Sequence, residues 1–150
     1  MLIRKAVMTD SEGIYQLIAL YAQEGKLLAR TYASIYENLQ SFYVAVIDNQ
    51  VVGISSLCIL DRDLAEIRSL AVSPDHCRKG IGRALVKQII LETRELKIAK
   101  LIALTYQINF FSALGFRIVN KTELPQKMWK DCINCAKLHS CDETAMLIAI

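Results

Sequence analysis

Apolar and polar residues alternate along the chain with two different periods, and this pattern predicts a protein that mixes helices and strands. Thr9 and Glu12 have the spacing of a capping box, and the helix that begins there is predicted to stop at Gly25. Further helices are predicted over residues 31–39, 80–97 and 108–114. The predicted strands cover residues 2–6, 42–47, 51–60, 65–72, 101–105, 116–119 and 145–150.

The predicted order of elements is β-α-α-β-β-β-α-β-α-β-β, which is an α+β arrangement around a mixed sheet. Asp48 and Asn49 separate two strand-like runs and signal a hairpin. No repeat or low-complexity tract appears, and 150 residues is the length of one domain, so we expect a single domain over residues 1–150. The helix over residues 80–97 is predicted to have one apolar side, formed by Ile81, Leu85, Ile89 and Leu96.

Composition and charge narrow the class of partner. Hydrophobic residues make up 53% of the chain, which is ample for one core, but no apolar run has the length of a membrane span. A net charge of +3 is too small to indicate a nucleic-acid partner. The first residues lack the apolar stretch of a signal peptide, and five cysteines are an odd number that suits reduced thiols. We therefore expect a cytoplasmic protein that acts on small molecules, without membrane or nucleic-acid partners, and we leave open whether it forms a homodimer.

The clearest functional signal lies in residues 64–85. A strand-like run is followed by a turn that contains Pro74, which a sheet ladder does not accommodate. The next helix opens with Gly80-Ile81-Gly82, and glycines at a helix N-terminus let an anion approach unpaired main-chain N–H groups. Together these features predict a phosphate cradle, with an ordinary turn and solvated basic residues as the simpler alternative. The positive charges at this place are Arg78, Lys79 and Arg83.

Val72-Ser73-Pro74, followed by Cys77-Arg78-Lys79-Gly80-Ile81-Gly82, resembles the signature of the GNAT acetyltransferase superfamily, with Cys77 where the family has Arg or Gln. The resemblance implies a GNAT-like fold: a mixed, mostly antiparallel central sheet with helices on both faces. It also implies that two splayed strands, the one ending at Val72 and the one over residues 101–105, hold acetyl-CoA. The residues that this resemblance assigns to acetyl-CoA are Leu70, Ala71, Val72, Arg78, Lys79, Gly80, Ile81, Gly82, Arg83, Asn109 and Phe111.

Acetyl transfer from a thioester to an amine requires a base for the amine, a donor for the oxyanion and a proton for the thiolate. Glu66 is the candidate base, because a carboxylate within a strand needs a partner or a task. A salt bridge with Arg68, on the same face of the strand, is the equal alternative. Residues 109–116 resemble an aromatic segment in which many family members place a tyrosine acid, but this chain has Phe111, which packs the core or flanks the cofactor. Tyr106, water, or departure of CoA as a thiolate would replace that acid, although a half-buried strand-end tyrosine is the simpler interpretation of Tyr106.

Residues 25–30, 63–68, 103–106 and 124–127 resemble the acetyltransferase domain of bacterial N-acetylglutamate synthases. This resemblance implies transfer of acetyl to the α-amine of L-glutamate, the first step of arginine synthesis, by a short form without the kinase-like partner domain. Glutamate has two carboxylates, and cationic side chains would bind them. Another small amine or a protein N-terminus is the alternative acceptor, and a non-catalytic acyl-CoA sensor is the alternative function. The candidate carboxylate ligands are Arg30, Arg68 and Lys127, each with a solvated surface charge as its alternative.

Cys132, Cys135 and Cys141, with His139 between the last two, form a compact cluster. Three thiolates and an imidazole can hold zinc in a tetrahedral site. One residue separates His139 from Cys141, which is a tight spacing for two ligands. We therefore predict reduced structural thiols and no metal site, and keep zinc binding or a redox function as the lesser alternative.

Overall fold

A computed structural model describes residues 1–124 and 143–150, and in these residues the strands and helices follow the predicted order. No helix of the described residues has the length and apolar character needed to cross a bilayer. The strands are β1 (Leu2–Lys5), β2 (Phe42–Ile47), β3 (Gln50–Asp61), β4 (Leu64–Val72), β5 (Lys100–Thr105), β6 (Arg117–Ile118) and β7 (Thr144–Ala149). The helices are α1 (Ser11–Gln23), α2 (Tyr32–Glu37), α3 (Ile81–Glu95) and α4 (Ile108–Ala113), with 3-10 turns at Met8–Asp10, Leu39–Ser41, Pro74–His76 and Lys121–Glu123.

The strands of the described residues form a seven-stranded sheet in the order β1-β2-β3-β4-β5-β7-β6. Antiparallel pairing joins β1 to β2, β2 to β3, β5 to β7 and β6 to β7. β4 and β5 run parallel, with a ladder from Leu64↔Lys100 to Glu66↔Ile102, and β4 continues beyond it to Val72. The predicted mixed, mostly antiparallel sheet is confirmed.

The chain divides into two compact units. The first comprises Met1–Leu57 and Ile67–Glu92, and the second comprises Cys58–Glu66 and Thr93–Ile150. A single functional domain over residues 1–150 stays a prediction.

The first unit has helices on both faces of the β2–β3 hairpin. Residues paired in register point to the same face of a sheet and successive pairs alternate, so the pairs Val44↔Ile54 and Ala45↔Gly53 lie on opposite faces. Val44 and Ile54 are buried against side chains of α1 and α2. Gly53, in contrast, lies beneath the first turns of α3. The turn of the hairpin consists of Asp48 and Asn49, with φ of 50° and 63°, as a two-residue type I′ turn requires.

The start of α1 differs from the predicted capping box of Thr9 and Glu12. A 3-10 turn over Met8–Asp10 precedes the helix, and the N-cap is Asp10. The Asp10 carboxylate accepts hydrogen bonds from Arg4, at 2.7 and 3.0 Å, and from the Val7 N–H, at 2.8 Å. Burial raises the pKa of Asp10, but the contacts with Arg4 and Val7 outweigh burial and leave the pKa below its ordinary value. The capping-box prediction was wrong: the 3-10 turn precedes α1, and the Asp10 side chain makes no capping hydrogen bond to the helix because it is bonded to Arg4 and to the Val7 N–H instead.

The predicted stop of α1 at Gly25 is confirmed. Gly25 has φ of 72°, its N–H donates to the Ala22 carbonyl, and the Lys26 N–H donates to the Tyr21 carbonyl. These two bonds constitute a Schellman motif, which needs a left-handed residue and therefore favours glycine. The last turn of α1, which contains Tyr21, is thus firmly closed.

The second unit packs β5 between the parallel start of β4 and the antiparallel β7. Its core centres on Leu60, Leu64, Ile102 and Leu147. A cavity of about 350 Å³ lies beside this core, with Asp63, Lys100 and Arg117 among its lining residues.

The end of α3 corrects one prediction about its apolar side. Ile81, Leu85 and Ile89 are buried as predicted, but Leu96 is 48% exposed. The helix ends at Glu95, and Lys97 takes the left-handed position of a second Schellman motif, with φ of 61°. The chain turns there, so that Ile98 rather than Leu96 is buried.

Candidate active site

The last residues of β4 depart from regular strand geometry at Ser69. This residue has φ of 52°, in the left-handed region that L-residues rarely occupy. The buried hydroxyl of Ser56 donates to the carbonyl of Arg68 at 3.0 Å, next to the irregular residue. Ser69 therefore interrupts the strand alternation just before Leu70, Ala71 and Val72, which the family resemblance assigns to acetyl-CoA.

Two hydrogen bonds hold the point at which β4 ends. The N–H of Ser73 donates to the carbonyl of Val52 in β3 at 2.7 Å. The hydroxyl of Tyr21, in α1, donates to the carbonyl of Val72. Burial first, and then the nearby Cys77 thiol and Glu24 carboxylate, raise the pKa of Tyr21. Its hydroxyl therefore stays protonated and remains a donor near neutral pH.

The turn that follows leads directly into α3. Pro74–His76 form a 3-10 turn. Arg78 and Gly80 then adopt positive φ values of 64° and 81°. A Cβ placed on Gly80 would meet no atom within 4 Å, so the backbone conformation, and not crowding, explains the glycine.

The residues predicted to bind diphosphate are brought together on this turn and on the first turn of α3. Arg78, Lys79 and Gly80 are exposed, and α3 begins with Ile81, Gly82 and Arg83. N–H groups in the first turn of a helix lack intrahelical acceptors, and the helix dipole adds positive potential. This donor set fits a diphosphate: open main-chain N–H groups, a left-handed glycine and three cationic side chains. Their roles in binding stay predictions.

Glu66 is buried, with 5% of its surface exposed. It pairs in register with Ile102 and alternates with Ala65, so it shares a sheet face with Leu64 and Ile102, both core residues. Glu66 and Arg68 each have interaction partners. The role of Glu66 as a base, or as one half of a salt bridge, stays a prediction.

The aromatic segment of α4 packs chiefly within the protein. Phe111 is buried and contacts Phe110 and Phe116 edge to face, with ring centroids 5.0 Å apart in both pairs. This geometry supports the packing alternative for Phe111. Asn109 is exposed on α4, and Tyr106 is 37% exposed just after β5. Cofactor contacts of Asn109 and Phe111, and a catalytic role of Tyr106, stay predictions.

Two of the three predicted carboxylate ligands lie in the first unit. Arg30, in the connection between α1 and α2, is half-buried, and its guanidinium carbon lies 5.2 Å from the centre of the Phe42 ring. This stacking pre-orients the guanidinium. Arg68 is half-buried in β4. Lys127 lies outside the described residues.

The cluster of Cys132, Cys135, His139 and Cys141 also lies outside the described residues. Within residues 1–124 and 143–150, no group of three His, Cys, Asp or Glu side chains is arranged to hold a metal ion. Within the described residues, neither Cys58 nor Cys77 forms a disulfide. Cys58 is only partly buried, and it packs at the margin of the second unit's core.

Sequence reasoning missed three residues that shape the site. Tyr21 lies near the end of the first predicted helix, and a partly buried tyrosine hydroxyl calls for a hydrogen-bond partner. Ser56 lies in a buried strand, where a polar side chain likewise calls for one. Gly53 in the same strand was a further signal, because glycine in a strand often marks the close approach of another element.

The profile of the acetyltransferase (GNAT) domain family matches residues 38–118, which is more than half of the chain. The chain therefore belongs to the GNAT acetyltransferase family, and it is an acyltransferase that uses acetyl-CoA as co-substrate. This span includes Glu66, the end of β4, the turn over residues 78–83 (the glycine turn) and α4.

Similar proteins come from several bacteria. An "Uncharacterized N-acetyltransferase" of Chlorobaculum tepidum is 38% identical over 97% of this chain and 94% of its own length. An amino-acid acetyltransferase of Mycobacterium tuberculosis is 34% identical over 86% of this chain and 75% of its own length. The crystal structure of N-acetylglutamate synthase from Neisseria gonorrhoeae, complexed with coenzyme A and N-acetyl-glutamate, superposes with a TM-score of 0.89 at 27% identity. That alignment covers 99% of this chain but 34% of the Neisseria protein.

Proposed function

We propose that this protein transfers the acetyl group of acetyl-CoA to the α-amine of L-glutamate, giving N-acetyl-L-glutamate and CoA. The observation that carries the proposal is the similarity to an amino-acid acetyltransferase over 75% of that relative's length. The Neisseria structure with coenzyme A and N-acetyl-glutamate supports glutamate as the particular amino acid. The segments around Arg30 and Arg68, which resemble N-acetylglutamate synthases, support it further.

Acetyl-CoA supplies the acyl group as an activated thioester. The turn from Arg78 to Arg83 would hold the diphosphate through main-chain donors, helped by cationic side chains. The main chain at Leu70, Ala71 and Val72 would align the pantetheine arm. Glu66 would accept a proton from the amine, so that the neutral nitrogen forms the new C–N bond while the C–S bond breaks. Tyr106 or water would return a proton to the sulfur.

Arg30 and Arg68 would recognise the two carboxylates of glutamate. A guanidinium donates two parallel hydrogen bonds to a carboxylate, and such charge-assisted bonds are stronger than neutral ones. Stacking on Phe42 limits the freedom of Arg30 before the amino acid binds. Lys127 is the third candidate, assigned only from its sequence context.

We further propose that the reaction serves arginine synthesis and takes place in the cytoplasm. Five cysteines cannot all pair within one chain, and a reducing compartment keeps such thiols free.

The test is a thiol-release assay with acetyl-CoA and a panel of amino acids that includes glutamate, glutamine and aspartate. We expect the highest kcat/KM with glutamate, and a value lower by about tenfold or more with glutamine, because glutamine lacks the second carboxylate. Peptides with free N-termini and other small amines are assayed in parallel. Glutamate that is no better than the other acceptors would refute the proposal. Tight binding of acetyl-CoA without turnover on any amine would also refute it and would favour an acyl-CoA sensor.

A further inference from the structure

The hydroxyl of Tyr21 makes a hydrogen bond that joins α1 to the last residue of β4. Tyr21 and Val72 are 51 residues apart in sequence, and the bond is partly buried. Val72 is also the residue from which the chain leaves the sheet and enters the glycine turn. The Tyr21 hydroxyl therefore fixes the Val72 carbonyl, just before the turn that is predicted to bind the diphosphate.

The contacts around Tyr21 and Val72 hold both residues in place. The Schellman bonds at Gly25 and Lys26 close the last turn of α1, which carries Tyr21. The Tyr21 side chain packs against the core of the first unit. The bond from the Ser73 N–H to the Val52 carbonyl fixes the next residue. The end of β4 is thus held by hydrogen bonds to both α1 and β3.

We infer that Tyr21 is a positioning residue for the acetyl-CoA site. Acting through Val72, it orients the end of β4 and the start of the turn that presents main-chain donors to the diphosphate. The inference rests on the proposed use of that turn for CoA. Tyr21 does not itself take part in proton transfer, so loss of its hydroxyl should weaken CoA binding more than it lowers kcat.

The substitution Tyr21→Phe removes the hydroxyl and keeps the ring that packs in the core. One neutral hydrogen bond has a net worth that corresponds to about a fivefold change in an equilibrium constant. The bond is present before CoA binds, so this factor is the upper limit of its effect on binding. We therefore expect Tyr21→Phe to weaken CoA binding by at most about fivefold and to raise KM for acetyl-CoA by a similar factor. KM for the amino acid and kcat should change by less than about twofold.

The matched control is Tyr15→Phe, a substitution of the same kind on the same helix. Tyr15 packs against the same core and stacks on Tyr32 with ring centroids 4.1 Å apart. CoA affinity is measured by calorimetry on the wild type and both variants, together with the melting temperature without ligand and the rise in melting temperature on adding CoA. Tyr15→Phe should leave CoA affinity unchanged.

Selective weakening of CoA binding in Tyr21→Phe, with a smaller ligand-induced rise in melting temperature, supports the inference. A lower melting temperature with unchanged CoA affinity would show a merely structural role and overturn it. Equal loss of affinity in both variants would overturn it as well. If the wild type acetylates its acceptor and Tyr21→Phe has the same KM for acetyl-CoA as the wild type, only this inference fails. If the wild type itself does not bind CoA, the proposed function fails with it.

Discussion

Replacing Gly53 with alanine should displace the first turn of α3, which carries predicted diphosphate donors. A Cβ on Gly53 would lie 2.8 Å from Ile81 Cγ2 and 3.0 Å from Leu85 Cδ1. Carbon atoms pack best at about 3.5–4.0 Å, so the first turn of α3 would have to move by roughly 0.7 Å. Ile81 Cγ2 branches directly from Cβ and cannot rotate away freely. Overpacking of this kind costs about 1–3 kcal/mol of folding free energy.

The displaced turn carries the predicted diphosphate donors, and misplacement by about 1 Å can cost up to about 100-fold in function. The displacement expected here, roughly 0.7 Å, is smaller than 1 Å. We therefore expect Gly53→Ala to weaken CoA binding by about tenfold, which is less than that 100-fold limit. Urea unfolding gives the stability change, and calorimetry with CoA gives the affinity.

The control for this prediction is the double variant Gly53→Ala with Ile81→Leu. Leucine lacks the branch at Cβ, so it relieves the closest contact and leaves the main chain of residue 81 in place. The double variant should recover most of the lost stability and affinity. Wild-type stability and CoA affinity in the single variant would refute the proposed link between β3 and the turn, and so would a double variant with purely additive losses.

Three further perturbations test individual groups. Glu66→Gln should lower kcat by about 100-fold or more and leave CoA affinity within about twofold; equal turnover in a substrate-saturated assay would remove Glu66 from the mechanism. Gly80→Ala should lower the free energy of unfolding in urea by about 1–2 kcal/mol, because alanine is strained at positive φ, and Gly80→Asn should lower it less; equal stabilities would contradict a conformational role. Asp10→Asn should lower the free energy of unfolding by about 1–2 kcal/mol at pH 7; the loss is modest because Arg4 is partly exposed and solvent screens the ion pair. The folded pKa of Asp10 is depressed, so its contribution is present above the unfolded pKa, about 3.9, and is lost as pH falls through the folded pKa; a wild-type minus variant difference that stays constant in acid would contradict this.

The order of elements was predictable because local signals agree with the tertiary structure. The bounds of β2 match the predicted residues, since aromatic and β-branched side chains lead directly into the turn at Asp48 and Asn49. Gly25 ended α1 as predicted because a left-handed residue is needed there. The glycine turn was likewise visible, since Gly80 is required by the backbone conformation of the turn itself.

The features that sequence reasoning could not supply depend on distant partners. The bond from Tyr21 to Val72 and the close approach of α3 to Gly53 arise only when separate elements pack together. Ser69 has no sequence signal for a positive φ, because serine is uncommon in that conformation. Thr9 lies in a 3-10 turn before α1, and the carboxylate of Asp10 in that turn pairs with Arg4 from β1. Periodicity within the helix carries no information about β1.

The two-residue turn at Asp48 and Asn49 has a consequence for the order of folding events. Its short loop costs little closure entropy, and hairpins of this kind form within microseconds. The parallel ladder of β4 and β5 requires the whole intervening crossover through α3, so its contacts are less local. In pulse-labelled hydrogen exchange, amides of β2 and β3 should therefore gain protection before those of β5.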